Sequence, residues 1–176
     1  MSTATYTAVP IPIDQLKSHP RNYREHPADQ LVQIEQSLRE HGFYRNVVCA
    51  SDLTILAGHG VVEAARRLGM TTVPVIQLPL APNDPKAIKI LIGDNELGHL
   101  GERNDRLLAD LLLDIQKLDV DGLLGTGYDE MMLANLLLVT RPESEVADFD
   151  EAAEWAGMPE HVPQASGLKL VLTFET

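Results

Sequence analysis

The chain is short of three things: cysteine, aromatic side chains and positive charge. Of its 176 residues one is cysteine and 5% are aromatic. A single thiol, Cys49, excludes an internal disulfide framework and a zinc site built from cysteines alone. It lies in an apolar, strand-like stretch and reads as a buried, inert group. Long hydrophobic runs are missing too. Nothing approaches the roughly 18 consecutive apolar residues that a membrane helix needs, so no membrane partner is expected. Met1-Ser-Thr-Ala-Thr5 has neither the charged nor the apolar region of a secretory signal, which makes the cytoplasm the expected location. A Walker A lysine motif, His-Glu-x-x-His and Gly-x-Ser-x-Gly are all absent, so the chemistry each of them carries has no support here.

Basic residues number 14 against 26 acidic ones, for a net charge of −12. A free-standing nucleic-acid binder usually carries the opposite balance, because affinity for a duplex comes largely from neutralised phosphates. The acid is unevenly spread, however. Arg141 to Glu154 is an acidic segment poor in core residues, whereas Lys17-Ser-His-Pro-Arg-Asn-Tyr-Arg24 is locally basic.

What is present is a core. Apolar residues make up 44% of the chain, enough for one domain with an appendage. Tyr6 to Leu16 reads as an opening strand, followed by a polar loop over 18–27. Leu31, Ile34 and Leu38 then recur at helical spacing up to Gly42. Asn46–Ala50 and Leu53–Leu56 form a hairpin-like pair across Ser51-Asp52. A second helix runs from about Gly60 to Leu68, and a strand covers Thr72–Leu78, where Pro74 suggests a sheet edge. Asp84-Pro85 caps a helix through Ile88, Leu91 and Ile92. Asn104 starts another, with Leu107, Leu108, Leu111, Leu112, Ile115 and Leu118 as one wide apolar stripe. Thr126-Gly-Tyr-Asp129 reads as a capping-box-like start for a last helix through Leu138. The terminal Leu168–Thr176 alternates like a strand that lacks its hairpin partner. It is read as the start of a second domain cut at residue 176, with pairing to a partner chain as the alternative.

The most informative stretch is Leu53-Thr-Ile-Leu-Ala-Gly-His-Gly-Val-Val-Glu-Ala-Ala-Arg-Arg-Leu-Gly69. An apolar run stops at Gly58-His59-Gly60 and passes straight into a helical pattern. Strand, glycine turn and helix aim several backbone N–H groups and a helix N-terminus at one point, the usual way to hold a phosphate. The two glycines permit the turn and keep side chains out of the approach.

With Val9–Leu16, Ser18-His-Pro-Arg-Asn22, Gly42–Ala50, Thr71–Leu78 and Ile88–Leu97 in this order, the chain resembles the N-terminal domain shared by ParB partition proteins, ParB-like nucleases and sulfiredoxin. The resemblance spans about residues 8–118. It implies an α+β fold with a small mixed sheet and packed helices, followed by a helical subdomain. The implied division is a nucleotide-binding domain over 6–100, a helical subdomain over 101–140, an acidic linker over 141–167 and the start of a second domain over 168–176.

Gly58-His59-Gly60-Val61 falls where ParB proteins carry Gly-Glu-Arg-Arg and sulfiredoxins carry Gly-Cys-His-Arg. Histidine in place of the nucleophilic cysteine argues against sulfinic-acid reduction. Val61 cannot bind phosphate as the family arginine does, so another cation must serve: Arg66, Arg67, the Arg21/Arg24 loop or Arg45. Asp94-Asn95 takes the place of a carboxylate–amide pair that helps hold magnesium and nucleotide phosphates, and hard oxygens of this kind suit Mg2+. A polar cluster at a helix end, closed by Gly98, is the structural alternative.

The resemblance therefore implies a nucleotide set of Gly58, His59, Gly60, Arg21, Asn22, Asp94 and Asn95, with Asp94 and Asn95 also holding the metal. His19 and Arg21 are candidates for phosphate contact or proton transfer. Glu63 is a candidate base or metal ligand, against a plain role as a helix N-terminal acid. Glu35 and Glu40 read as a solvated helix face. Lys17, Arg24 and Arg45, with Arg21, are the candidate DNA contacts. The expected activity is phosphoryl transfer from, or hydrolysis of, ATP or CTP, with a kinase acting on a small molecule or modified nucleic acid included. The alternatives are a non-catalytic nucleotide-switched DNA-binding module, with a homodimer as the switching species, and a metal-dependent nuclease.

Overall fold

The computed structural model describes residues 5–118 and 122–141. The chain divides into two units, Met1–Thr140 and Arg141–Thr176. The acidic segment beyond Arg141 and the strand-like terminus lie outside the described residues.

Among the described residues four short strands, β1 (Val9–Pro12), β2 (Val47–Cys49), β3 (Ile55–Ala57) and β4 (Thr72–Gln77), form one sheet in the order β1-β4-β2-β3. β1 runs antiparallel to β4, β4 parallel to β2, and β2 antiparallel to β3, which is the mixed sheet the resemblance implied. Among the described residues five helices accompany it: α1 (Ala28–His41), α2 (His59–Arg67), α3 (Pro85–Glu96), α4 (Asp105–Leu118) and α5 (Glu130–Val139).

Side chains alternate across the strands, and the two faces acquire different partners. Val47, Cys49, Ile55, Val73 and Val75 pack with Leu31 and Leu38 of α1 and with Val62, Ala64 and Ala65 of α2. On the opposite face Val48, Leu56 and Ile76 meet Ala50, Leu78, and Ala87 of α3. Burial pushes the Cys49 thiol up to about 12, so it stays protonated, as its strand position suggested. α4 and α5 enclose a smaller cluster of Ala109, Leu112, Leu123 and Leu133 within the same unit. Gln33 of α1 ties this helical pair down, because its Oε1 accepts from Gly125 N at 2.6 Å and Gly127 N at 3.3 Å.

Several local expectations change. The opening strand is only Val9–Pro12 and passes into a 3-10 turn at Ile13–Gln15. Leu53 is not the start of β3. It sits in the hairpin turn at φ 66°, where Asp52 holds both the backbone N–H and the hydroxyl of Thr54. Pro74 is not at a sheet edge, because β4 lies between β1 and β2. The proline is tolerated because it faces Pro10 across β1, and pairing with β2 begins only at Val75. The leucine stripe of α4 divides: Leu112 is buried, while Leu107, Leu111 and Leu118 are exposed. Asp129, not Thr126, caps α5 by accepting from Met132 N at 2.7 Å, and the Thr126 hydroxyl instead accepts from Tyr128 N. Gly98 does not end α3 but lies inside a following 3-10 turn, Leu97–Leu100.

Leu31 is fully buried between α1 and the sheet. Leu31→Ala is expected to lower unfolding free energy by about 2–5 kcal/mol, measured by urea denaturation. Gln33→Ala should instead speed amide exchange at Gly125 and Gly127 while leaving Val47 and Val75 protected.

Candidate functional site

β3 ends at Ala57 and α2 begins at His59, so one residue must turn the chain. That residue is Gly58, at φ 89° and ψ 26°, a left-handed conformation that a side chain would strain. The first intrahelical bond then runs from Val62 N to Gly58 O at 3.1 Å. This leaves the N–H groups of His59, Gly60 and Val61 at the mouth of the helix, together with its positive dipole end. Gly60 makes room for a contact the sequence did not reveal. A Cβ there would meet the His26 ring at 2.9 Å and Ile34 Cδ1 at 3.2 Å.

The helix mouth opens into a cleft of about 180 Å³. Gly58, His59, Gly60, Asn22, Asp94 and Asn95 all line it, so residues from three separate stretches meet in space. Asn95 Nδ2 donates to Leu91 O at 3.0 Å, which leaves its Oδ1 as an uncommitted acceptor among the described residues. Asp94 makes no hydrogen bond or ion pair among the described residues. Asn22 lines the cleft, and its amide also bonds the loop: Nδ2 donates to Arg24 O at 2.9 Å and Oδ1 accepts from Arg24 N at 3.4 Å. It shapes the turn, and keeps one N–H and one oxygen lone pair for a ligand in the cleft.

The cations are redistributed. Arg21 is exposed and outside the cleft, whereas Arg24 and Arg45, expected either to serve DNA or to stand in for the family arginine, line it. Lys17 lies elsewhere, bridged to Thr54 at the sheet. Arg66 donates to Ile13 O at 3.2 Å and Leu16 O at 3.3 Å, and Arg67 pairs with Glu35 and Glu63, so neither replaces the family arginine. Glu35 is accordingly a clamp between α1 and α2, not part of a solvated face.

The expected acid–base groups move away as well. His19 is 3% exposed, and both of its ring nitrogens are engaged. Nδ1 accepts from Arg21 N at 3.1 Å, which fixes the tautomer, so Nε2 donates to Pro82 O at 3.2 Å. It is a loop anchor with no nitrogen left for proton transfer. Glu63 is outside the cleft, on the edge of an adjoining hollow, and pairs with Arg67 at 3.8 Å.

His26 lines the cleft and was missed, since nothing local distinguishes a histidine before a helix-opening proline. His59 Nε2 accepts from His19 N at 3.4 Å, so its proton sits on Nδ1. Burial, and then the neighbouring His26 and His19, lower His59 to about 4. The imidazole is neutral at pH 7. Because the folded value lies below the ordinary one of about 6.5, the unfolded chain binds the extra proton first. The His59 contribution to stability is thus complete above pH 6.5 and is lost as pH falls toward about 4. His59→Gln should lose less stability than the parent between these pH values, measured by thermal denaturation.

No protein-family model matches the chain. The ParB-like nuclease domain-containing protein YnaK of Escherichia coli K12 is 37% identical over 67 residues, covering 38% of this chain and 77% of that protein. Among solved structures, the C-terminally truncated chromosome-partitioning protein ParB from Caulobacter crescentus, complexed with CTP-gamma-S, superposes with a TM-score of 0.62 at 22% identity. The match covers 78% of this chain and 81% of that one. The pNOB8-like ParB N-domain aligns with a TM-score of 0.47 at 17% identity, over 86% of this chain and 63% of that one. Fold, order of elements and the bacterial relative agree: the chain belongs to the ParB-like domain family.

Proposed function

We propose that the cleft binds a nucleoside triphosphate with Mg2+, and that the protein senses the nucleotide instead of transferring its phosphate. The observation that carries this is a convergence at one opening. The start of α2 with its backbone donors, the basic residues Arg24 and Arg45, and the oxygen-bearing pair Asp94 and Asn95 all line the same cleft. The first two suit phosphate oxygens. The third suits a hard cation that keeps much of its shell for water and phosphate. Asn95 fits that role because its amide nitrogen is tied to Leu91, and Asp94 because its carboxylate is uncommitted among the described residues. Bound there, Mg2+ would offset phosphate charge and fix the triphosphate conformation.

The cleft is sized for phosphates more than for a whole nucleotide. A second hollow of about 300 Å³ shares Ile34, Arg45 and Val61 with it and offers room for the nucleoside. CTP is the first candidate, because the ParB of Caulobacter crescentus with the same fold was solved with CTP-gamma-S. ATP is the second.

Sensing is favoured over transfer by the groups that line the cleft. General-base work calls for a group poised near neutrality and within reach of the nucleophile. His19 is locked, Glu63 is outside, and His59 is held near 4, too weak a base at pH 7. A kinase or hydrolase would have to rely on His26 or Asp94. A switch of the partition type, in which nucleotide binding governs self-association on DNA, needs none of these. Nuclease activity is the second reading. It is favoured by the name of the Escherichia coli relative and by an open cleft flanked by arginines, and opposed by the net charge of −12.

Calorimetric titration with CTP, ATP and GTP in Mg2+ should give binding by at least one, weakened when EDTA removes the metal. Arg45→Ala is expected to weaken it about 10- to 100-fold, the usual cost of a charge-assisted bond to phosphate. Asp94→Ala should abolish the Mg2+ dependence. Silence from all three nucleotides would sink the reading. Phosphate release or plasmid cleavage that Arg45→Ala abolishes would replace sensing with hydrolysis or nuclease action.

A further inference from the structure

Residues 19–26 form a strap that follows α3 from its entry to its exit. Its base is held by His19 Nε2 donating to Pro82 O, just before α3, and by Asn22 N donating to His19 O at 3.0 Å. Its tip reaches the far end of the helix. Tyr23 Oη donates to Glu96 Oε1 at 2.7 Å, and Arg24 Nη2 donates to His99 Nε2 at 3.0 Å. The Glu96 contact holds the Tyr23 phenol above its ordinary pKa, so it remains a donor at neutral pH.

Arg24 is therefore shared between two places. Its side chain lines the cleft, yet one guanidinium nitrogen is committed to His99, which belongs to the 3-10 turn Leu97–Leu100 and does not line the cleft. The acceptor in this contact is the lone pair of an imidazole ring nitrogen, Nε2, and not an anionic oxygen. A phosphate oxygen is an anionic acceptor, and bonds to it are roughly twice as strong. Both groups are exposed at the surface, so exchanging one acceptor for the other costs little desolvation.

We propose that the Arg24–His99 contact is an autoinhibitory clasp: a triphosphate entering the cleft takes Arg24 from His99 and frees the 97–100 turn. This rests on the nucleotide reading above. The freed segment carries Leu97 and Leu100, which are 68% and 78% exposed, so the switch repositions an apolar turn next to α4. A ligand can shift such an equilibrium only by its differential affinity for the two states, and the Arg24 exchange supplies that difference.

The test uses the full chain and its His99→Ala variant, titrated with CTP, ATP and GTP in Mg2+. Removing the competing acceptor should tighten binding about 2- to 10-fold, the range set by one exposed hydrogen bond. In the parent, saturating nucleotide should also speed amide exchange at residues 97–101, the reverse of ordinary ligand protection. Weaker or unchanged binding by His99→Ala overturns the clasp, because His99 would then be positioning Arg24 through a bridge that survives binding. Slower exchange at 97–101 in the parent overturns it too. Failure of the parent to bind any nucleotide removes the site reading itself, which is a different outcome from a parent that binds and a variant that binds no tighter.

Discussion

The left-handed backbone at Gly58 is the constraint from which the rest of the site follows. β3 must stop and α2 must start within one residue, and only a positive φ makes that reversal without a loop. The consequence is a helix whose unpaired N–H groups emerge directly from the end of a buried strand, with no slack in their direction. Gly60 extends the same demand by admitting the His26 ring and Ile34 against the helix. A side chain at Gly58 would strain the left-handed backbone that aims the helix, and one at Gly60 would displace the His26 ring and Ile34.

The opposite wall is built by different forces. α3 is set by the Asp84 cap and by Ala87 and Ile90 packing beneath the sheet, which fixes the rotation that brings Asp94 and Asn95 to the opening. The strap over 19–26 is polar and cannot be held by burial of apolar area. It is held by hydrogen bonds at both ends, with the buried His19 as its foot. One side of the cleft is thus a rigid consequence of packing, and the other a polar loop whose tip bonds are exposed. That asymmetry makes the strap the element suited to respond to a ligand.

Much of the scaffold was legible along the chain. The order of strands and helices, the glycine turn before α2, the Asp84 cap and the buried Cys49 all express local rules of periodicity and capping. The misreadings have one origin. Pro74 looks like an edge residue until its neighbours are known, and the leucines of α4 look like one stripe until the side that packs on α5 is known. The same holds for the ionic residues. Arg21 and Arg24 are alike on paper, and only the Asn22 turn sends one to the cleft and leaves the other outside. His19 and His59 are likewise two histidines near a proposed phosphate, separated in role by which ring nitrogens the fold consumes.

By itself, then, the sequence determined what depends on neighbours within a few residues: the mixed α+β order, the strand–glycine–helix junction at Gly58, the oxygen pair at Asp94-Asn95, and an acidic balance unlike that of a simple DNA binder. The tertiary structure decided what depends on residues tens of positions apart. It withdrew His19, Glu63 and Arg21 from the cleft, admitted His26, Arg24 and Arg45, and tied Arg24 to His99. The physical reason is that a backbone turn is a local property, whereas the availability of a side chain depends on every donor and acceptor that folding brings beside it.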